Sequence, residues 1–143
     1  MAYHRRLPHV YLQGRSLFLT WHLYGSLPQD RYPPPHHQSA GRAFVWMDRY
    51  LDRAEQGPRF LQQEAIATIV IRSLLRGVEL NHYQLGAFVL MANHVHTLML
   101  PRIPPGKLFK ALKGYTAHEA NKVLSRTGPF WQGESDDHWV RDD

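Results

Sequence analysis

Two histidines, His94 and His96, stand two residues apart inside the apolar run MANHVHTLMLP of residues 91–101. Side chains alternate across a strand, so on a strand both imidazoles share one face while Val95 and Thr97 share the other. Their Cβ atoms then lie roughly 6–7 Å apart, near enough to share one divalent ion. A third ligand from a facing helix, with open water positions, would make such a site catalytic rather than structural. On spacing alone a second reading stands beside it, a strand histidine pair facing solvent. A further pair, His36–His37, lies in the proline-dense segment GSLPQDRYPPPHHQSAG of residues 25–41, where it reads as exposed loop residues.

Charge gathers directly after the two strand histidines. Residues 102–126 hold six basic side chains (Arg102, Lys107, Lys110, Lys113, Lys122, Arg126) against the single acid Glu119, which accounts for the whole net charge of +5. Charge localised in this way points to a polyanionic partner, or else to a solvated helix face. The absence of cysteine removes disulfides, thiolate metal sites and a cysteine nucleophile from consideration. No apolar run reaches the roughly 18 residues of a membrane span, and the basic N-terminus lacks the apolar core of a signal peptide. A cytoplasmic location is the expectation.

The elements that must position these residues follow from periodicity. SLFLTWHLY, residues 16–24, is rich in aromatic and β-branched positions and reads as a strand. FVWMDRYLDRA, residues 44–54, and LQQEAIATIVIRSLLRG, residues 61–77, repeat apolar positions at helical spacing, with Gly77 as a C-terminal stop. YQLGAFVLM and HVHTLML form two strands joined by the Ala92–Asn93 link, which predicts a hairpin. KLFKALKGYTAHEANKVLSR, residues 107–126, is a long helix, and a short strand follows in the last segment. This order fits a single α+β domain over 1–143, an antiparallel sheet with helices packed on one face.

Taken together, FVLMANHVHTLMLP, KLFKALKGYTAHEANKVL, GPFWQGES and DHWVRD closely resemble the REP-associated tyrosine transposases. These are the bacterial branch of the single-tyrosine HUH transposases, which act on single-stranded DNA. The family hallmark Met-Pro-Asn-His-Val-His appears here as Met91, Ala92, Asn93, His94, Val95 and His96, with alanine in place of proline. RRLPHVY near the start, LTWHLYGSLP and LKGYTA extend the resemblance over nearly the whole chain. It implies a ferredoxin- or RRM-like sheet with the HUH pair on a central strand. It also implies that His94 and His96 bind Mg²⁺ or Mn²⁺, which polarises a scissile phosphate.

In the resembled family a tyrosine attacks that phosphate, leaving a 5′-phosphotyrosine and a free 3′-hydroxyl. It lies on a helix beyond the DHWVRD-like block, in a Tyr-Ile-x-x-Asn-Pro context whose asparagine helps hold the metal. The sequence stops at Asp143, before such a helix, and Asp136 stands where the family commonly has tyrosine. Either the chain is truncated or it is a decayed relative. Tyr115 and Glu119 lie one turn apart in the 107–126 helix, as a substitute nucleophile and metal ligand would. They also fall on a stripe with Leu108, Leu112 and Val123, where a tyrosine commonly serves packing.

For DNA, Lys107, Lys110 and Lys113 recur every three residues and can line a phosphate backbone, with Arg5 and Arg6 as a flexible arm. Trp131 either stacks on an unpaired base or fills the core between helix and sheet. The expected function is therefore a transposase-like protein that binds single-stranded or hairpin DNA. The alternative is a catalytically inactive or domesticated nucleic-acid-binding module of the same fold. An RRM-like RNA-binding domain is disfavoured, because the strands carry no RNP-type aromatic motif. A homodimer with composite sites and a self-sufficient monomer both fit the wider class.

Overall fold

The computed structural model describes residues 14–27, 40–53, 57–133 and 136–140. Within them the elements run β1 (Leu17–His22), α1 (Ala40–Arg53), a 3₁₀ turn (Phe60–Gln62), α2 (Glu64–Glu79), β2 (Tyr83–Leu90), β3 (His94–Pro101), α3 (Pro105–Leu124) and β4 (Asp136–Trp139). The sheet order is β2-β3-β1-β4, with every neighbouring pair antiparallel. This is the strand order of the ferredoxin-like fold, with crossovers from β1 to β2 and from β3 to β4. The expected α+β architecture is present, and β3 is a central strand.

Alternation divides the sheet into two unlike faces. Leu17, Leu19 and Trp21 of β1 pair with Met99, Thr97 and Val95 of β3, and all six side chains are buried on one face. Helix α2 lays Ile66, Val70 and Leu74 over that face, one residue per turn, and α3 adds Leu108, Phe109, Leu112 and Ala120. These side chains share a single hydrophobic cluster with Tyr83, Phe130 and Trp131. The opposite face of the two central strands carries Thr20 and His22 beside His96 and His94. Helix α1 approaches this second face, whereas α2 and α3 cover the first as expected.

Two local expectations are revised. Helix α2 runs through Gly77 to Glu79, so Gly77 is not the stop. A Cβ there would lie 2.3 Å from Tyr83 Oη and 2.4 Å from Cζ, so the glycine makes room for the buried phenol ring. Asn81, at φ 61°, supplies the left-handed residue after the helix instead. Helix α3 begins on Pro105, where its missing N–H costs nothing, and buries Leu108, Leu112, Thr116 and Ala120. The apolar stripe thus advances by four residues each time. That leaves Tyr115 57% and Val123 51% exposed. No helix among the described residues is long and apolar enough to cross a membrane.

Candidate metal centre

Histidine 94 is fully buried at the start of β3, paired across the sheet with His22. Its Nδ1 lies 2.7 Å from Asn93 Oδ1. A carbonyl oxygen can only accept, so Nδ1 carries the proton and donates it. Burial first, and then neighbouring His96, bring the imidazole pKa down to about 4 against the opposing pull of Asp48. At neutral pH the ring is therefore uncharged and its Nε2 presents a bare lone pair.

That lone pair faces further acceptors. His94 Nε2 lies 3.8 Å from Asp48 Oδ1 and 3.4 Å from Asp52 Oδ1, and it has no hydrogen-bond partner. Because His94 is neutral, these contacts are not ion pairs. His96 sits edge-on to His94 with ring centroids 4.8 Å apart, and its Nε2 is 2.9 Å from Asp48 Oδ1. That separation is short enough for a hydrogen bond, yet buried Asp48 Oδ1 has no donor aligned on it. His96 Nδ1 is held 2.8 Å from Thr20 Oγ1, and its ring stacks on Phe18.

Lone pairs converging in a buried space repel one another unless a cation sits among them. One ligand atom each from Asp48, His94 and His96 lies within 4.8 Å of the other two, a donor set suited to a divalent ion. Asn93 and Thr20 act behind the ligands. By engaging the Nδ1 atoms they turn both Nε2 atoms toward the shared space, the usual task of groups behind metal-bound histidines. The arrangement fits a resident divalent metal.

The expected site residues disperse as well as converge. His94 and His96 meet as the spacing predicted, but the acid that joins them is Asp48 from α1. Glu119 is on α3, its Oε2 3.7 Å from Lys122 Nζ, and is not in the His/Asp group. Tyr115 lies on the solvent side of the same helix, whose inner side packs on the sheet face away from the histidines. Lys107 and Lys110 are exposed, whereas half-buried Lys113 donates from Nζ to the Gln132 carbonyl at 2.8 Å. Trp131 is core: it meets Trp21 edge-on, and its indole N–H donates to Thr116 Oγ1 at 2.8 Å. Arg5, Arg6, His36 and His37 lie outside the described residues, as does the side chain of Asp136.

The signal for Asp48 was present in FVWMDRYLDR, where Asp48 and Asp52 stand one turn apart on an otherwise amphipathic helix. What the sequence withheld was which sheet face that helix would meet.

No protein-family model matches the chain, and no curated protein does either. Solved structures do match. One is a REP-associated tyrosine transposase bound to a REP hairpin, with TM-score 0.55 and 12% identity over all of this chain. This chain spans 64% of that protein's chain. Another, from Deinococcus radiodurans R1, is described as a "putative transposase"; it has TM-score 0.54 and 17% identity, over 99% of this chain and 88% of its own. At such identities the likeness establishes a shared fold, and it is the fold that the sequence resemblance implied.

Proposed function

We propose that the chain is a transposase-like protein that binds single-stranded or hairpin DNA and holds a divalent cation through His94, His96 and Asp48. The observation that carries this reading is the bare, buried Nε2 of His94 set among carboxylate oxygens on a central strand. The fold shared with a transposase bound to a REP hairpin supports the choice of DNA as partner. When bound, an ion such as Mg²⁺ or Mn²⁺ draws electron density from a scissile phosphate and offsets the charge developing in the transition state. Asn93 and Thr20 keep the two imidazoles aimed at one point. Exposed Lys107 and Lys110 attract backbone phosphates without reading sequence, and the charges of Arg5 and Arg6 add to that attraction. Lys113, engaged with the Gln132 carbonyl, contributes less.

Nicking and joining through a phosphotyrosine also requires a tyrosine that can reach the metal face. Tyr115 is separated from the histidines by the sheet, so the nucleophile in this reading is another residue. The same placement favours a second reading, a binding module of this fold without catalysis.

One experiment separates the two. A labelled single-stranded hairpin oligonucleotide is incubated with the protein and Mn²⁺, and the products are run on native and denaturing gels alongside His94→Ala and Tyr115→Phe. Metal-dependent cleavage or a covalent adduct, lost in His94→Ala and kept in Tyr115→Phe, establishes the enzyme. Hairpin binding without cleavage establishes the module. Absence of binding at low salt refutes both.

A further inference from the structure

Helix α1 brings more than Asp48 to the edge of the centre. Asp48 turns its carboxylate to the histidines, while Arg49 and Arg53, four residues apart, are exposed to solvent. At about 100° per residue, the two arginines stand about 100° and 140° round the helix from Asp48, and Trp46 about 160°. Trp46 is half-buried and stacks on Tyr50 one turn later, with ring centroids 5.6 Å apart and planes inclined by 23°. One flank of α1 thus runs from Asp48, across two guanidinium groups, to an aromatic pair. We propose that this flank is a track for single-stranded DNA. Arg49 and Arg53 hold phosphates next to the one at the metal, and the Trp46–Tyr50 stack receives an unpaired base. This rests on the DNA reading above and adds to it the path of the strand, its phosphate contacts and its base contact.

Chemistry favours a strand of nucleic acid over a lone anion. A guanidinium presents a planar fork of donors that matches phosphate oxygens two at a time. Residues four apart on a helix project to one side, about 6 Å apart along its axis, so the two arginines can engage successive phosphates. The aromatic pair beside them adds a contact that a free phosphate cannot use. In a duplex the base faces are covered by their neighbours, so only an unpaired base can lie on such a ring.

Position separates this track from the lysines of α3. That helix packs on the sheet face turned away from the histidines, so Lys107 and Lys110 hold DNA at a distance from the metal. Arg49 and Arg53 instead share a helix with Asp48, whose Oδ1 is 2.9 Å from His96 Nε2. A phosphate held by either arginine is therefore a near neighbour of one at the metal. Fixing the flanking backbone in this way orients the strand without reading its sequence.

Fluorescence anisotropy tests the track with two labelled oligonucleotides, a blunt hairpin and the same hairpin with a single-stranded extension. Binding is measured in chelator, where no cleavage intervenes, and repeated in Mg²⁺. The proteins are the unaltered chain, the double variant Arg49→Gln/Arg53→Gln and Trp46→Leu, each checked for folding by far-UV circular dichroism. Both arginines are exposed, so replacing them leaves the core untouched. The unaltered protein is expected to bind the extended hairpin more tightly than the blunt one. The double variant loses that advantage, and its slope of log K against log salt falls by about 1.4, two contacts at about 0.7 each. Trp46→Leu weakens binding of the extended hairpin by about fivefold or more with the slope unchanged, because stacking releases no counterions. Unchanged affinity and slope in the double variant overturn the track and leave the DNA reading standing, as does an equal loss for both oligonucleotides. Unchanged binding by Trp46→Leu overturns the base contact. No binding of either oligonucleotide by the unaltered protein, in chelator or in Mg²⁺, overturns the DNA reading and the track together.

Discussion

Replacing Asp48 by asparagine should have opposite effects with and without metal. The substitution exchanges one carboxylate oxygen for an amide at nearly constant volume. In the metal-free protein Asp48 Oδ1 is buried without an aligned donor, 3.8 Å from the bare Nε2 of His94. An amide N–H in its place, turned toward that nitrogen, gives it a donor, and one such hydrogen bond is worth about 0.5–1.5 kcal/mol net. For a domain of this size, about 1 kcal/mol raises the melting temperature by about 3–4 °C.

With metal the sign reverses. An ion that binds only the folded state at about 100 times its Kd stabilises it by about 2.7 kcal/mol. If losing one ligand weakens binding about 100-fold, that gain shrinks to about 0.4 kcal/mol. Thermal melts by circular dichroism, in chelator and in excess Mn²⁺, should therefore cross: Asp48→Asn melts higher than the unaltered protein in chelator and lower in metal. A variant less stable in chelator would refute the reasoning, because it would mean that a proton already satisfies the carboxylate and no cation is called for.

Three further outcomes follow from single contacts. Burial holds His22 at a pKa of about 4, well below its ordinary 6.5, so the unfolded chain binds the extra proton between those values. Stability is intact above 6.5 and falls as pH drops through that window by about 3 kcal/mol, a slope that urea melts should show flattened in His22→Gln. Gly77→Ala gains about 1 kcal/mol of helix propensity but drives a methyl into the Tyr83 ring, whose hydroxyl donates to the Leu74 carbonyl. Overpacking at about 1–3 kcal/mol exceeds the gain, so denaturant melts should show a less stable protein. Lys107→Ala and Lys110→Ala should each lower the salt dependence of single-strand binding by about 0.7 in the slope of log K against log salt, read from fluorescence anisotropy.

Much of the architecture was legible because it depends on local periodicity. The alternation in HVHTLML fixes which side chains share a face, and the four-residue spacing of Ile66, Val70 and Leu74 fixes the inner side of α2. The histidine pair was legible for the same reason. The acid that joins the pair was not. Asp48 reaches the histidines only because α1 approaches the sheet face opposite to α2, and nothing in the local pattern of residues 44–54 specifies a face. The α3 stripe was misjudged by one residue at Tyr115. Position 116 is drawn inward instead because the Thr116 hydroxyl donates to the Leu112 carbonyl and accepts the Trp131 indole N–H. Gly77 likewise carried a plausible helix-stop signal, whereas its cause is a tertiary one, the Tyr83 ring lying against it.

The most direct measurement of the central claim is an anomalous difference map from a crystal of the protein grown with Mn²⁺. A single strong peak is expected, bounded by His94 Nε2, His96 Nε2 and a carboxylate oxygen of Asp48. A peak at Glu119 with none beside the histidines, or a direct hydrogen bond closing the gap between His94 and Asp48 with no peak there, would contradict it.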